Sequence, residues 1–422
     1  MIEAMNIPKL RFPEFQDIWA SDNLISLSKV KMSNGVFNDP KKVGSGYRLI
    51  NVKDMYIDRK IDIDTLTFLE LDKTEFERNK AAWGDVFFTR SSLVKEGIAF
   101  SNIYVDTFED VTYDGHLVRM RPNQDIVGTF FLSYLLKTSL SRKQLILRGK
   151  TTTMTTIGQE DISTVVVSYP TKPEQTKIAA FLTSVDTKIE QLAKKQELLS
   201  EYKKGLMEKI FSQAIRFKAD DGSNFPDWEE KRLGDIGEFK TSSVDKKIVE
   251  GQKLIRLVNY MNVFKHENID SSAIKNLMTV SANETQLNSS NLKRGDILFT
   301  PSSETPDDIG HSVVIFEDLV DTLYSYHLIR FRPKAKLDIL YSHYFCNISD
   351  VLRQISRVAT GSTRFTVSLS EFSKIQVNLP SLPEQTKIAN FLSPIDSKIE
   401  QIAKQLYETK QFKKALLQQM FV

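Results

Sequence analysis

Hydrophobic residues recur in alternating steps of four and three along two stretches of the chain, which is the a/d spacing of a coiled-coil helix. The stretches begin near Pro173 and Pro383. A proline suits a first helical turn, because no N–H is needed there. The predicted helix core consists of Ile178, Leu182, Val185, Ile189, Leu192 and Leu199, followed in the second stretch by Ile388, Leu392, Ile395, Ile399, Ile402 and Leu406. The spacing predicts two long helices that pair with each other. The alternative is two amphipathic helices, each packed on its own domain.

The rest of the chain has a different pattern, with short β-type runs separated by Gly, Asn, Asp and Pro turn signals. The runs include GDVFFT from Gly84, GDILFT from Gly295 and IQVNL from Ile375. TFFLSYLLKTSL from Thr129 and ILYSHYFCNISDVLRQI from Ile339 predict short helices late in each segment. We therefore expect a mixed α/β (α+β) fold with two strand-rich globular domains.

The chain consists of two copies of one repeated unit. PEQTKIAAFLTSVDTKIEQLAKK from Pro173 recurs 210 positions later as PEQTKIANFLSPIDSKIEQIAKQ from Pro383, with 16 of 23 positions identical. The preceding segments share weaker anchors in the same order, such as GDVFFTRSS with GDILFTPSS and HLVRMRP with HLIRFRP. Between these anchors the two copies diverge almost freely. The duplication predicts a pseudo-two-fold molecule.

The order of the elements sets the expected topology. We assign a globular domain to residues 1–170, a helix to 171–217, a second globular domain to 218–380 and a second helix to 381–422. If the helices pair within the chain, the second must run back towards the first domain, so the coiled coil is antiparallel. The expected molecule has two globular domains held apart by a rigid rod.

Composition narrows the class of protein. A single cysteine, Cys346, excludes an intramolecular disulfide and a Cys-based zinc cluster and fits a reducing compartment. The first residues lack a signal-peptide pattern, and no window is apolar enough for a membrane span. We expect a cytoplasmic protein that does not enter membranes. The net charge of +3 neither favours nor forbids nucleic-acid binding, since affinity follows local patches.

Catalytic motifs are missing from the sequence. There is no phosphate-binding GxxxxGK[ST] loop, no GxGxxG fingerprint, no HExxH helix and no Asn/Asp-Pro-Pro-aromatic tetrapeptide. Five scattered histidines do not form a metal motif, and Asp307 with Asp308 is better explained as a solvated turn than as a nuclease site. We therefore predict no catalytic residue, no metal site and no cofactor bound by this chain.

Polar loops at equivalent positions of the two copies favour contact with nucleic acid. Hydroxyl and backbone N–H groups hold phosphate oxygens, while the Arg fork and the Asn amide suit bidentate contacts with bases. The candidates in the first copy are Arg48, Asn51, Arg90, Ser91, Ser92, Arg148, Lys150, Thr151, Thr152 and Thr153. Those in the second copy are Arg256, Asn259, Ser302, Ser303, Arg357, Thr360, Ser362, Thr363 and Arg364. Each loop alone is weak support for nucleic-acid binding. The recurrence of such loops at equivalent positions of both copies makes that support stronger.

Two divergent domains that alternate with two near-identical PEQTKIAxFL…DxKIEQ helices resemble the specificity subunit of Type I restriction–modification systems. The resemblance spans essentially the whole chain, and the helix starts TKPEQTKI and SLPEQTKI are highly characteristic of that family. It implies that residues 1–170 and 218–380 are target recognition domains, each reading one half of a bipartite sequence in double-stranded DNA. It also implies that the coiled coil sets the spacer between the half-sites and docks partner subunits.

The resemblance also implies the division of labour. Two modification subunits would bind S-adenosylmethionine and methylate one adenine in each half-site, and restriction (translocase) subunits would supply ATP- and Mg-dependent translocation and cleavage. The chain itself would be non-catalytic. Two other classes remain open: a self-sufficient enzyme, and a coiled-coil adaptor that binds protein or RNA without reading DNA sequence. A purified chain that modified DNA alone would favour the former, and loss of duplex binding with retained protein binding would favour the latter.

Overall fold

The computed structural model describes residues 7–57 and 60–422, and the chain divides into two compact units. Unit 1 comprises Met1–Lys194 with Ala403–Val422, and unit 2 comprises Lys195–Ile402. Each unit therefore takes in one end of each long helix.

The globular part of unit 1 is dominated by short strands. Its strands are β1 (Ala20–Asn23), β2 (Ser33–Asn34), β3 (Val43–Ile50), β4 (Thr67–Leu69), β5 (Val86–Thr89), β6 (Ser91–Ser92), β7 (Ser101–Ile103), β8 (Val111–Tyr113), β9 (Leu117–Met120), β10 (Lys150–Thr151), β11 (Thr155–Thr156) and β12 (Val166–Tyr169). Its helices are α1 (Lys73–Asn79), α2 (Thr129–Leu135), α3 (Ser139–Arg148) and α4 (Gln159–Ser163), and the long helix α5 (Lys172–Phe211) begins here. The strand orders are β2-β9-β5-β7, β4-β3-β8, β10-β11-β6 and β1-β12.

Unit 2 repeats this arrangement. Its strands are β13 (Glu229–Arg232), β14 (Gly237–Thr241), β15 (Lys253–Val258), β16 (Met278–Ala282), β17 (Asn291–Leu292), β18 (Ile297–Phe299), β19 (Ser302–Ser303), β20 (Ser312–Val314), β21 (Leu319–Tyr324), β22 (Ile329–Pro333), β23 (Phe365–Thr366) and β24 (Gln376–Leu379). Its helices are α6 (Leu233–Ile236), α7 (Tyr260–Phe264), α8 (Glu284–Ser289), α9 (Ile339–Phe345), α10 (Ser349–Val358) and α11 (Leu369–Lys374), and the second long helix is α12 (Leu382–Gln419). The strand orders are β14-β22-β18-β20, β16-β15-β21-β17, β19-β23 and β13-β24.

The strand in the GD-x-x-F-T anchor is uniformly hydrophobic because it separates two cores. Successive side chains of a strand point to opposite faces. In β5, Val86 and Phe88 belong to the core that packs on the long helices, whereas Phe87 belongs to a second core with Tyr104 and Tyr113. The run therefore has no solvent-facing side, and β18 repeats the pattern in unit 2.

The Gly-Asp pair that precedes this strand in each unit has a structural role. Gly84 and Gly295 both have a φ of +90°, a conformation that a side chain disfavours. The next residue is a buried aspartate that receives two hydrogen bonds from an arginine on a neighbouring strand or just after it. In unit 1 these are Asp85 and Arg121, at 2.7 and 2.8 Å. In unit 2 Arg332 contacts Asp296 at 2.7 Å through both nitrogens.

The PEQ motif fastens each long helix to its globular domain. Glu174 is buried and receives two 2.7 Å hydrogen bonds from Arg11, which precedes the first strand. The Gln175 side chain accepts from the backbone N–H of Gly128 and donates to the carbonyl of Pro170. Unit 2 repeats the arrangement. Arg216 donates a hydrogen bond to Glu384, and the Gln385 side chain accepts from the backbone N–H of Asp338 and donates to the carbonyl of Pro380.

The helices pair antiparallel within each unit. In unit 1 the Lys413 ammonium, near the end of α12, lies 2.6 Å from Asp186 in the first half of α5. In unit 2 Lys203, in the second half of α5, lies 2.5 Å from Asp396 in the first half of α12. The predicted mixed α/β class with antiparallel paired helices is confirmed. The helices also pack on the globular domains. Pairing of the two helices and packing of each helix on its own domain, stated above as alternatives, therefore occur together.

The predicted a/d positions all face inward to some degree. Those that are buried are Ile178, Leu182, Val185, Leu192, Ile388, Leu392 and Ile402. Those that are half-buried are Ile189, Leu199, Ile395, Ile399 and Leu406. The residues nearest each helix start belong to the cores of the globular domains. Leu182 packs in the unit 1 core together with Leu416, in the last turn of α12, and Met420, which follows that helix.

Candidate nucleic-acid interface

Two polar loops of unit 1 are joined by a small three-stranded sheet. β11 lies between β6 and β10, so Ser92 is paired with Thr155, and Thr155 with Thr151. The backbone N–H of Ile157 donates to the carbonyl of Arg90 at 3.0 Å, which continues the pairing. The structure thus brings together six sequence candidates that lie some 60 residues apart in the chain. They are Arg90, Ser91, Ser92, Lys150, Thr151 and Thr152. Thr153 lies beside Thr152 in the loop that follows β10.

This small sheet carries hydroxyl groups and cations. The Lys150 side chain is 76% exposed, and its ammonium lies 3.5 Å from Asp161. The Arg90 guanidinium donates to the carbonyl of Gly115 at 3.1 Å and remains exposed. The hydroxyls of Thr151 and Thr155 are 2.9 Å apart. The exposed Thr151 and Thr152 hydroxyls and the two cations suit phosphate oxygens and base edges.

Unit 2 builds the same arrangement from β19 and β23. Ser302 is paired with Thr366, and the N–H of Val367 donates to the carbonyl of Pro301 at 2.9 Å, as Ile157 does to Arg90 in unit 1. The exposed guanidinium of Arg364 donates to the Ser302 hydroxyl at 2.9 Å through Nη2. Further candidates sit beside it, namely Ser303 on β19, Thr360 bridged to Thr366, and Ser362 and Thr363 in the exposed loop. The two clusters are therefore equivalent in backbone but differ in side chains.

Arg48 lies on β3 and Arg256 on β15, whereas Asn51 and Asn259 directly follow those strands, and all four side chains have partners within their own domains. Arg48 pairs with Asp110, and its guanidinium lies over the Phe108 ring at 4.6 Å. The Asn51 amide donates to the Thr67 hydroxyl at 2.8 Å. Asn259 accepts from the N–H of Met261 and so caps α7. Arg256 likewise donates to Leu277 and Thr279.

The arginines in the last turns of α3 and α10 have different surroundings: Arg148 is the last residue of α3, and Arg357 is the last but one of α10. Arg148 donates to the hydroxyl of Thr164 at 3.0 Å, to the carbonyl of Thr164 and to that of Gln144. Arg357, at the equivalent helix end, is exposed and lines a shallow pocket with Thr360 and Glu371. Among these helix-end candidates, Arg357 has the more open guanidinium. DNA contact by each candidate stays a prediction.

Aromatic residues also lie near the cluster of unit 2, and Tyr260 among them was not found from the sequence. The Tyr260 hydroxyl donates to the carbonyl of Ser302 at 2.8 Å, and burial raises the pKa of Tyr260. His327 stacks on Tyr326 with ring centroids 3.9 Å apart. Burial lowers the pKa of His327, and the positive charges of Lys246 and Arg364 lower it further. A neutral imidazole offers one donor and one acceptor. The shared H-L-[VI]-R motif was the signal for this position.

In residues 7–57 and 60–422, no group of three or more His, Cys, Asp or Glu side chains is arranged to hold a metal ion. None of the helices in that part of the chain is both long and apolar enough to cross a membrane.

Comparisons with known proteins agree with this architecture. The family model described as Type I restriction modification DNA specificity domain matches residues 84–200 and 226–410, once in each copy of the repeat. The putative type I restriction enzyme MjaX specificity subunit of Methanocaldococcus jannaschii is 24% identical over 428 residues, covering 98% of this chain and 95% of that protein. The MjaIX specificity subunit of the same organism is 25% identical over 312 residues, covering 70% and 68%.

Solved structures share the fold over nearly the whole length. The crystal structure of a Type I restriction–modification S subunit from M. genitalium has a TM-score of 0.59 at 16% identity and covers 99% of both chains. A structure reported for complex assembly and conformational transition of the type I R-M system has a TM-score of 0.54 at 15% identity, covering 94% of this chain and 96% of that one.

Proposed function

The chain belongs to the Type I restriction modification DNA specificity family, and we propose that each of its globular domains reads one half of a split sequence in double-stranded DNA. One observation carries this proposal. The same small sheet joins the same two polar loops in both units, but its exposed side chains differ. A fixed backbone with changed side chains is what two readers of different half-sites require.

The paired helices would dock the partner subunits. Tyr202 on α5 and Phe412 on α12 occupy equivalent repeat positions, and both are about half exposed, at 56% and 51%. Exposed aromatic side chains are frequent anchors of protein interfaces. Two equivalent anchors suit two copies of one partner, which we propose to be modification subunits. A restriction (translocase) subunit would join through them.

The chemistry would then belong to the partners. S-adenosylmethionine bound by the modification subunits would supply the methyl group for adenine, and the restriction subunits would use ATP and Mg. The target adenine must leave the base stack to be methylated. This chain would contribute binding, orientation and half-site spacing, in the cytoplasm where the DNA is. We propose that the paired helices set that spacing, because each of them runs from one unit into the other.

Methylome sequencing tests the proposal. Cells would express the full chain with its candidate modification subunit, and the expected result is a single split motif methylated on adenine in both halves. Replacing residues 1–170 with the first domain of a relative should change one half only. The Pro170 boundary keeps the hydrogen bond from Gln175 to the backbone carbonyl at that residue.

Two outcomes would contradict the proposal. If chain and partner co-purify but no split motif appears, the adaptor that binds protein or RNA becomes the better explanation. If the purified chain alone transfers methyl groups or cleaves DNA, the division of labour is wrong. The variant pair Arg364→Ala and Lys334→Ala separates a local contact from a general loss of charge, because Lys334 is exposed on the same unit and pairs with Glu238.

A further inference from the structure

The two equivalent clusters differ most at one position. The loop TRSSLVK from Thr89 corresponds to TPSSETP from Thr300, so Leu93 of unit 1 stands where unit 2 has Glu304. The Leu93 side chain is 87% exposed. A single exposed leucine needs no explanation. Leu93 is not single, however, because it lines a surface pocket with Met154, Tyr56, Ser91 and Ser92.

This pocket is an apolar patch inside a polar surface. Its volume is about 310 Å³. Met154 comes from the loop between β10 and β11 and is 40% exposed, while the Tyr56 ring is 53% exposed and packs on Phe100 at 5.0 Å between centroids. The apolar side chains of Leu93, Met154 and Tyr56 are therefore exposed to solvent at this pocket, next to the hydroxyls of Ser91 and Ser92. Such a patch lowers its free energy when an apolar group of a ligand covers it.

The loop that presents Leu93 is held in place. The half-buried guanidinium of Arg142 donates to the carbonyls of Ala99 at 2.7 Å, Ile98 at 2.6 Å and Glu96 at 2.9 Å. Burial lowers the pKa of Arg142. The N–H of Val94 donates to the Ser92 hydroxyl at 3.3 Å and ties the tip to β6. The apolar patch is therefore presented on a braced loop and does not have to be ordered on binding.

We propose that Leu93, together with Met154 and Tyr56, contacts the 5-methyl group of a thymine in the half-site read by the first domain. This inference rests on the proposed function. Thymine is the one base that presents a methyl group in the major groove. Two nearby cations, Arg90 directly before β6 and Lys150 on β10, suit the flanking phosphates. Duplex DNA is therefore the occupant that matches both the apolar and the charged groups.

The second domain should lack this preference. Glu304 stands at the equivalent position and is exposed. A carboxylate accepts hydrogen bonds from the amino group of cytosine and gains nothing from a methyl group. The discrimination by the methyl group is thus expected in one half-site only.

Replacement of thymine by deoxyuridine removes only that methyl group and tests the inference. The full chain, assembled with its modification subunit, would be titrated against the split site with each thymine replaced in turn. Burial of one methyl group is worth about 0.8 kcal/mol, which corresponds to about a fourfold change in affinity. We expect this loss at one thymine of the first half-site. Leu93→Ala should bind the thymine and deoxyuridine sites equally, while Leu140→Ala, another exposed leucine of unit 1, should keep the fourfold difference.

The results separate this inference from the proposed function. If the wild-type complex binds no split sequence specifically, the proposed function fails. If it does, but no thymine of the first half-site is sensitive, or Leu93→Ala keeps the full difference, the methyl contact is wrong. Equal loss in both half-sites would also overturn it.

Discussion

The ion pairs between the long helices offer a sharp test, because the same motif occurs twice with different burial. The perturbation is Asp186→Asn in unit 1 and Asp396→Asn in unit 2. Tyr134 donates its hydroxyl to Asp186 at 2.8 Å, and Tyr344 donates to Asp396 at 2.7 Å. Asparagine keeps an acceptor for the tyrosine, so each substitution removes the charge alone.

The expected magnitudes follow from exposure. The Asp186 and Lys413 side chains are 6% and 17% exposed. Removing one partner of a buried pair costs about 3 kcal/mol or more, because the other charge stays behind uncompensated. The two lysines are similarly exposed, at 19% for Lys203 and 17% for Lys413, but the Asp396 side chain is 33% exposed. Water therefore already screens the attraction between Asp396 and Lys203, and the cost of removing it falls to about 1 kcal/mol. Lys413→Met in the Asp186→Asn background should recover part of the loss.

Native-state hydrogen exchange is the suitable assay, because a chain of two units need not unfold in one step. Protection of α2 reports unit 1, and protection of α9 reports unit 2. We expect Asp186→Asn to lower the opening free energy of α2 by about 2 kcal/mol more than Asp396→Asn lowers that of α9. The reasoning is refuted if Asp186→Asn and Asp396→Asn cost the same. It is also refuted if the Asp186→Asn/Lys413→Met double variant loses the sum of what Asp186→Asn and Lys413→Met each lose alone.

Three further predictions concern the helices, the recognition surface and pH. Leu192→Asp or Ile402→Asp places a carboxylate at a buried helix position, so helix pairing and co-purification with the modification subunit should be lost together, whereas Lys404→Ala at an exposed position should retain both. Arg364→Ala should weaken specific DNA binding by about 1–3 kcal/mol if the guanidinium reads a base, with assembly intact; loss of assembly in parallel would count against a DNA contact. Burial lowers the pKa of His343 from its ordinary 6.5, and nearby Lys203 and His266 lower it further while Asp396 opposes them. Below pH 6.5 the unfolded chain therefore binds more protons than the folded one, and unit 2 should lose stability as the pH falls, whereas it keeps its full stability above that pH. Exchange of α9 relative to α2 at pH 7.5 and 5.5 measures this loss. His343→Gln should reduce it to the part that His266 and His327 contribute, because burial lowers the pKa of those two histidines as well.

Much of the architecture was predictable from local patterns. The spacing of Ile178, Leu182 and Val185 repeats every few residues, so it identifies a helix without knowledge of the rest of the fold. The same holds for the strand in GDVFFT and for the helix in TFFLSYLL. The duplication then implied that two equal units share two helices, and the antiparallel pairing followed from the order along the chain.

The candidate site was only partly predictable. The recurrence of TRSS with TPSS, and of the Lys150 loop with the Arg364 loop, identified segments that the structure does join. Arg48 and Arg148 had equally suitable chemistry in the sequence, but the fold gives them Asp110 and Thr164 as partners. Such partners come from other strands and helices, and no short-range pattern predicts them.

The sequence by itself determined the repeat, the paired helices and the loops that vary between the copies, because periodicity and turn chemistry act over a few residues. The tertiary structure alone decided which side chains in those loops remain open. It also placed Leu93 beside Met154 and Tyr56, which lie 61 and 37 positions away in the chain. Exposure and hydrogen-bond partners are properties of the packed whole, since each depends on which distant segments come to lie against a given residue.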